Sequence, residues 1–473
     1  KELGITSVEA LEEVIHSQKL QHLPRFGPKS EEKIRKGIEM LKRNTGRMLL
    51  GQALPLAEEI VAQLHQTTGI QNIRVAGSLR RMKETIGDVD ILVSTPQPEL
   101  VMETFVALPQ VKEIVARGTT KSSIRTYEGI QIDLRVVEEE SFGAALQYFT
   151  GSKEHNIRLR EYAIKKGFKI NEYGIFRIDT GEKKGGEKEE DIYDCLGMEW
   201  IPPEMRENQG EIELARDKKI PPLVTLTEIK GDLHVHSHWS DGLVSIDTMA
   251  EAALARGYHY LAICDHTQSL VIASGLNPEE LYERKKEIDR WNRGKNTLFI
   301  LEGVEANILS DGSIDLPPDE LARLPVVVAG LHSGLSQAPE KINFRLQEAL
   351  HNRYVQIISH PCGRLINKRD SAQLDMDLLL DTAQKTGTFL EINAQPERLD
   401  LRDIDARKAK EQFGLQLVIS TDSHDPSSLN YMRLGVAVAR RAWLTASDIL
   451  NTLDRDELER TLHRKRERID LRT

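Results

Sequence analysis

The chain has 473 residues, 39% hydrophobic and 29% charged, with a net charge of −10, enough for about two to four domains with separate cores. No stretch approaches the roughly 20 apolar residues of a membrane span, no signal peptide precedes the first helix, and Cys195, Cys264 and Cys362 make no disulfide framework, so a cytoplasmic, non-membrane chain is expected. The acidic total excludes a uniformly basic binder, but nucleic acid requires only a local basic surface.

Periodicity predicts helices over 7–15 and 30–41, with Leu23-Pro24-Arg25-Phe26-Gly27-Pro28-Lys29 between them. An apolar residue, a Gly-centred turn and a Lys opening a helix resemble a helix-hairpin-helix, whose turn binds a DNA backbone phosphate; Gly27 and Lys29 are the candidate contacts. Arg25 stands where the motif usually has its first glycine. A further amphipathic helix is expected over 50–64. The first residue is Lys rather than Met, which suggests sequence upstream.

A strand then delivers Gly77-Ser78, a turn that brings backbone amides and a hydroxyl near phosphates, with Arg81 adding charge. Gly87 precedes Asp88-Val89-Asp90, whose carboxylates leave one face of a strand and can share divalent ions. Asp133, in the later strand 130–136, is the natural third carboxylate. A lone Asp-x-Asp is weak; joined to these partners it points to a nucleotidyltransferase palm with two Mg2+ ions. Three clustered carboxylates repel one another without cations, so a poorly formed metal-free site is expected.

The stretch 142–160 follows, carrying Tyr148-Phe149-Thr150-Gly151 and Asn156. With the preceding palm it resembles a family X DNA polymerase. The resemblance implies that Tyr148, Phe149 and Gly151 flank the nucleotide sugar, that Asn156 reaches the base edge and that Arg160 contacts the template side. Lys153 departs from the acidic residue of some relatives. Residues 183–191 read as a charged hairpin loop, and 207–227, polar with a Pro221-Pro222 break, as a linker.

Ten of the fourteen histidines lie at or after residue 234. His234 and His236 alternate on one strand and can converge on a cation. Downstream, short apolar runs end at Asp265-His266, at Glu302 to Glu305, at His332, at His360 and at Asp422-Ser423-His424, each separated from the next by a helix-period segment. Strand and helix in alternation mean a parallel sheet that can close into a barrel, with the polar residues on its carboxyl face. His234, His236, Asp241, His266, Glu305, His332, His360, Asp422 and His424 are the nine candidate ligands. Such imidazole and carboxylate donors suit manganese, zinc or iron, and their number suits two or three ions with Glu305 bridging.

These motifs resemble the polymerase and histidinol phosphatase (PHP) domain, which implies a distorted (βα)7 barrel and metal-dependent phosphoester hydrolysis. The whole pattern is similar to the bacterial-type PolX family, a family X polymerase core fused to a PHP domain. The expected architecture is multidomain: a helical, fingers-like region with the helix-hairpin-helix (1–65), an α/β nucleotidyltransferase palm with a mixed sheet (66–139), a small thumb (140–206), a linker (207–228) and the PHP barrel (229–473). The resemblance implies templated DNA synthesis and gap filling in base excision repair, a 3'-5' exonuclease or 3'-end-processing activity, primer-template or gapped DNA and dNTPs as partners, Mg2+ in the palm, and Mn2+ or Zn2+ in the barrel. A monomer is expected. No 5'-phosphate-binding amino-terminal domain is recognisable. The alternative is a PHP phosphoesterase whose first half is a non-catalytic nucleotide or DNA sensor.

Overall fold

The computed structural model describes residues 5, 7–17, 20, 27–43, 46–67, 69–294 and 297–470. Helices Val8–His16 and Pro28–Arg43 bury Ile15, Leu20 and Ile38 together, and the Ser7 hydroxyl caps the first by accepting from the Ala10 amide. The expected phosphate-binding turn, 23–26, lies outside the described residues. Gly27 immediately precedes the second helix, and Lys29 falls in its first turn.

The palm is a five-stranded sheet in the order Asn72–Val75, Asp88–Ser94, Gln131–Val136, Lys121–Thr126, Val111–Ala116. Only Asp88–Ser94 and Gln131–Val136 run parallel, so the sheet is mixed. Parallel neighbours need a crossover, and helix Pro98–Val106 forms part of it. Val89 and Ile91 turn into a core shared with Leu50, Ala57 and Ile60 of helix Leu50–His65, which leaves Asp88 and Asp90 on the opposite face. That helix packs into the palm core, although periodicity alone groups it with the amino-terminal helices.

Helix Phe142–Thr150 docks on the palm through Phe142, Ala145 and Leu146 against Ala76 and Leu92. Helix Lys153–Lys165 and a three-stranded sheet complete the thumb; the expected loop at 183–191 contributes the third strand, Lys183–Gly185. Its core continues into the segment 207–228, which corrects the expectation of a linker. Helix Glu211–Arg216 buries Ile212 and Ala215 among Leu159, Ile192 and Tyr193, and buried Glu211 accepts from His155 Nδ1 at 2.7 Å and from the Asn208 and Gln209 amides. Polarity suggested a solvated spacer; the pairing of Glu211 removes that cost.

The barrel has seven parallel strands in chain order. Six correspond to the apolar runs read from the sequence, and the other, sixth in the order, is Phe389–Asn393. The His236 amide donates to the Ser423 carbonyl at 2.8 Å across the seam between first and last strands, and the Asn451 side chain bridges Gly231 and Ile419 along the same seam. Gly51 lets helix Leu50–His65 approach the barrel, since a Cβ there would stand 2.6 Å from Pro396. Glu58 with Arg433 and Glu84 with Arg364 add ion pairs across this junction. Among the described residues no helix is long and apolar enough to cross a membrane.

Candidate metal centres

Strand register puts Asp90 directly beside Asp133 in the parallel pair. The Lys121 ammonium lies 2.7 Å from Asp133 Oδ2, and the Gln131 amide donates to Oδ1 at 2.9 Å. Burial raises the Asp133 carboxyl, but these donors outweigh it and hold the pKa below the usual range. Asp90 lacks such partners: burial first, then the charges of Asp88 and Asp133, push it up to about 6. Gly77 sits at φ +61°, and a Cβ there would stand 2.7 Å from Asp90 Oδ2, so both backbone and space require glycine. Ser78 lies in the short helix Gly77–Arg80, and Gly87 adjoins Arg47 just before Asp88.

The remaining polymerase candidates surround the thumb turn. Arg81 donates to the Thr150 carbonyl and, at 3.1 Å, to Glu207 Oε1. Glu207 also accepts from Arg441 of the barrel at 3.1 Å, and Arg441 reaches the Arg81 carbonyl at 2.7 Å. Asn156 is engaged locally, donating to the Tyr148 carbonyl at 2.7 Å and accepting from Gln147. Tyr148 and Phe149 pack edge to face, with Arg135 over the Phe149 ring, and Gly151 has φ +68°. Arg160 is half-buried on helix Lys153–Lys165. Arg80 forks onto Glu189, and buried Arg206 meets the same carboxylate at 2.6 Å. This locks thumb to palm.

In the barrel, eight of the nine candidate ligands fall into three tight groups: His236, Asp241, His266 and His424; His234, His236, Glu305 and Asp422; and His266, Glu305 and His332. His360 joins through Glu305 Oε1 at 3.1 Å, where His332 Nε2 also stands at 3.1 Å. Glu305 Oε2 is 3.2 Å from both His234 and His266. One buried carboxylate therefore touches four imidazoles, the geometry of a bridge. Burial raises the Glu305 carboxyl, but His234, His332 and His266 together hold it well below its ordinary value. Burial takes the His266 pKa down to about 4; it also opposes His424, where Asp241 and Asp422 prevail and lift the ring to about 9.

Buried His236 Nδ1 and His266 Nδ1 have no hydrogen-bond partner, and the mixed nitrogen and oxygen donors suit a transition-metal cation. The residues thus fit metal ions. Two ligands sit in left-handed backbone, His360 at φ 27° and Asp422 at φ 52°, strain of the kind found where surrounding structure imposes a geometry.

Sequence reading missed the residues that orient these ligands. Glu391 Oε1 meets His234 Nδ1 at 2.7 Å, while its Oε2 accepts from the His360 amide at 2.7 Å and from Asn393. Asn307 pairs with His332 Nδ1, and Asp265 accepts from Ser237, Ser240 and Arg284. Glu391 and Asn393 stand on the sixth strand; its signal in the sequence is an apolar alternation ending in Glu-x-Asn, without histidine.

Comparison with known proteins gives a family to both halves. Residues 145–207 match the DNA polymerase beta thumb, and residues 232–395 match the PHP domain. Over 467 residues the chain is 44% identical to a DNA polymerase/3'-5' exonuclease PolX of Bacillus subtilis (strain 168), covering 98% of this chain and 81% of the relative. The chain belongs to the PolX family. A shorter protein, a probable phosphatase of Thermoanaerobacter sp. (strain X514), is 27% identical over 253 residues, 50% of this chain and 96% of its own length. The repair DNA polymerase X of African swine fever virus is 29% identical over 29% of this chain and 82% of its own.

Proposed function

We propose that the chain extends DNA primers at the palm and removes nucleotides from DNA 3' ends at the barrel, acting in repair synthesis across gaps. One observation carries the reading: a single chain sets Asp90 and Asp133 in register on one sheet and gathers eight further candidate ligands around Glu305 on another. Divalent cations, Mg2+ in the palm and Mn2+ or Zn2+ in the barrel, neutralise phosphate charge and activate water or hydroxyl oxygen when bound.

In the palm, Asp88, Asp90 and Asp133 would hold the cations, and ionised Asp133 would face the primer hydroxyl. The hydroxyl would give up its proton to Asp133 as its oxygen forms the new bond to the α-phosphorus and pyrophosphate departs. Gly77 keeps the space beside Asp90 clear, Ser78 and Gly87 line the approach, and Arg81 supplies a cation for the triphosphate once it exchanges Glu207 for phosphate. Tyr148, Phe149 and Gly151 would border the sugar. Asn156, engaged with Tyr148 and Gln147, would fix that turn as well as reach a base edge. Gly27, Lys29 and Arg160 are the proposed DNA-backbone contacts.

In the barrel, His234, His236, Asp241, His266, Glu305, His332, His360, Asp422 and His424 would hold two or three cations. Glu391 fixes which His234 nitrogen faces them. Water adds across the terminal phosphodiester, releasing a nucleoside monophosphate and leaving a new 3'-hydroxyl.

Labelled primer-template with one dNTP and Mg2+ tests the first activity, and labelled DNA with Mn2+ tests the second. Asp88→Ala with Asp90→Ala should abolish extension and spare the nuclease; His234→Ala should do the reverse. Survival of both activities in either variant refutes the assignment.

A further inference from the structure

The barrel's metal-ligand cluster is not equally accessible on all sides. Asp241 and His424 are the open ligands, at 34% and 32% side-chain exposure, while the ligands around Glu305 are nearly sealed. A substrate phosphate must therefore enter over the group formed by His236, Asp241, His266 and His424.

The loops that supply this group also carry the most exposed large apolar side chains of the barrel. Leu243, 76% exposed, follows Asp241 by two residues, and its amide donates to the His424 carbonyl at 2.7 Å. Val271 and Ile272, 82% and 94% exposed, top the turn that follows His266. This turn is braced: the Ser269 hydroxyl donates to Asp315, and Asn307 links Ser269 to His332. Rigid apolar projections that nothing covers, on loops tied to metal ligands, are costly in water unless they meet a ligand's apolar surface. A DNA strand offers such a surface in its base faces, and aliphatic side chains are used elsewhere to wedge against base steps. Arg398, with Nε 3.9 Å from Asp422 Oδ2, places a cation at the same rim for the phosphate backbone.

We propose that Leu243 and the Val271–Ile272 turn form an apolar clamp for the terminal nucleobase of a DNA strand whose 3'-terminal phosphodiester lies on the metal cluster. The clamp rests on the nuclease reading given above and specifies how that site holds its substrate. A terminal base held on both faces, by Leu243 on one side and the Val271–Ile272 turn on the other, cannot remain stacked on its neighbour, so the clamp works on ends whose terminal base is free to leave the stack.

The test uses the full chain with Mn2+ and three proteins: the parent, Leu243→Ser, and the double variant Val271→Ser with Ile272→Ser. Each is assayed on a 5'-labelled single-stranded oligonucleotide and on bis(p-nitrophenyl) phosphate, a phosphodiester with no base, and primer extension serves as a check of folding. The clamp predicts a loss of about tenfold in kcat/KM on the oligonucleotide, the scale of one lost base contact, with diester hydrolysis and primer extension unchanged. Unchanged oligonucleotide cleavage, or an equal loss on the diester, overturns it. If the parent hydrolyses the diester and no DNA end, the nuclease reading falls and the clamp falls with it; if the parent cleaves DNA and the variants match it, only the clamp falls.

Discussion

The two metal constellations differ in how opposite charge reaches their carboxylates. In the barrel, Glu305 is surrounded by four imidazoles within 3.2 Å and buried among strands. In the palm, Lys121 pairs directly with Asp133 and not with Asp90, whose pKa burial first and then Asp88 and Asp133 push up to about 6 against the weaker pull of Arg135 and Lys121. The barrel site is built into the fold before any cation arrives. In the palm the proposed ligands Asp90 and Asp133 agree in register, and a bound cation would relieve their repulsion. Consistent with this, every tight ligand group among the described residues lies in the barrel.

The sharpest way to break this comparison is reciprocal removal of one carboxylate from each site. Glu305→Ala should lower phosphodiester hydrolysis by about 1000-fold, several kcal/mol of lost charge stabilisation, and leave primer extension at the parental rate. Asp90→Ala should do the opposite. Steady-state rates on the two substrates decide it, and cross-inhibition in either variant would mean that the sites are not separate.

A smaller effect sharpens the claim that the barrel is preorganised. Glu391 joins His234 to the His360 backbone without itself being a proposed ligand. Glu391→Gln keeps the shape but weakens the acceptor for His234 Nδ1, so metal affinity should fall by about 10- to 100-fold. Titration with a competing chelator measures this. An unchanged affinity would show that packing alone orients the ring.

Most of the fold was legible because chemistry and periodicity agreed. Asp88 and Asp90 on a strand, and His234 and His236 on another, announce their shared faces by a spacing of two. The sixth barrel strand was harder to read, because Phe389–Asn393 ends in Glu391 and Asn393, which act on candidate ligands instead of serving as ligands. Segment 207–228 was misjudged for a related reason: Glu207 and Glu211 look solvated in sequence, and only their distant partners Arg441 and His155 show that they are structural. Long-range pairs leave no local period.

Those pairs also predict that the halves are coupled. Arg441 of the barrel shares Glu207 with Arg81 of the palm. Removing Arg441 leaves Glu207 to bind Arg81 more exclusively, so Arg81 exchanges it for a triphosphate less readily. Arg441→Ala should raise the KM for dNTP about three- to tenfold, the effect of roughly 1 kcal/mol of net hydrogen-bond energy at a largely buried charge pair, with hydrolysis of a small diester unchanged. An unchanged KM would make the junction mere packing.

The smallest effect tests the palm's side of the comparison directly. Burial, then Asp88 and Asp133, raise the Asp90 carboxyl from 3.8 to about 6. A carboxyl with a raised folded pKa destabilises the fold once ionised, so its penalty is full above about pH 6 and vanishes below its unfolded value near 4. Asp90→Asn removes the charge and should raise the melting temperature at pH 8 in chelator by roughly 2–4 °C, with solvent screening limiting the gain to about 1 kcal/mol. At pH 4 the two proteins should melt together. Adding Mg2+ at pH 8 should stabilise the parent and not the variant, reversing their order, because the cation relieves the same repulsion that the amide removes. Identical melting at both pH values would mean that Asp90 feels no clustered charge, and the contrast with the self-neutralised barrel would disappear.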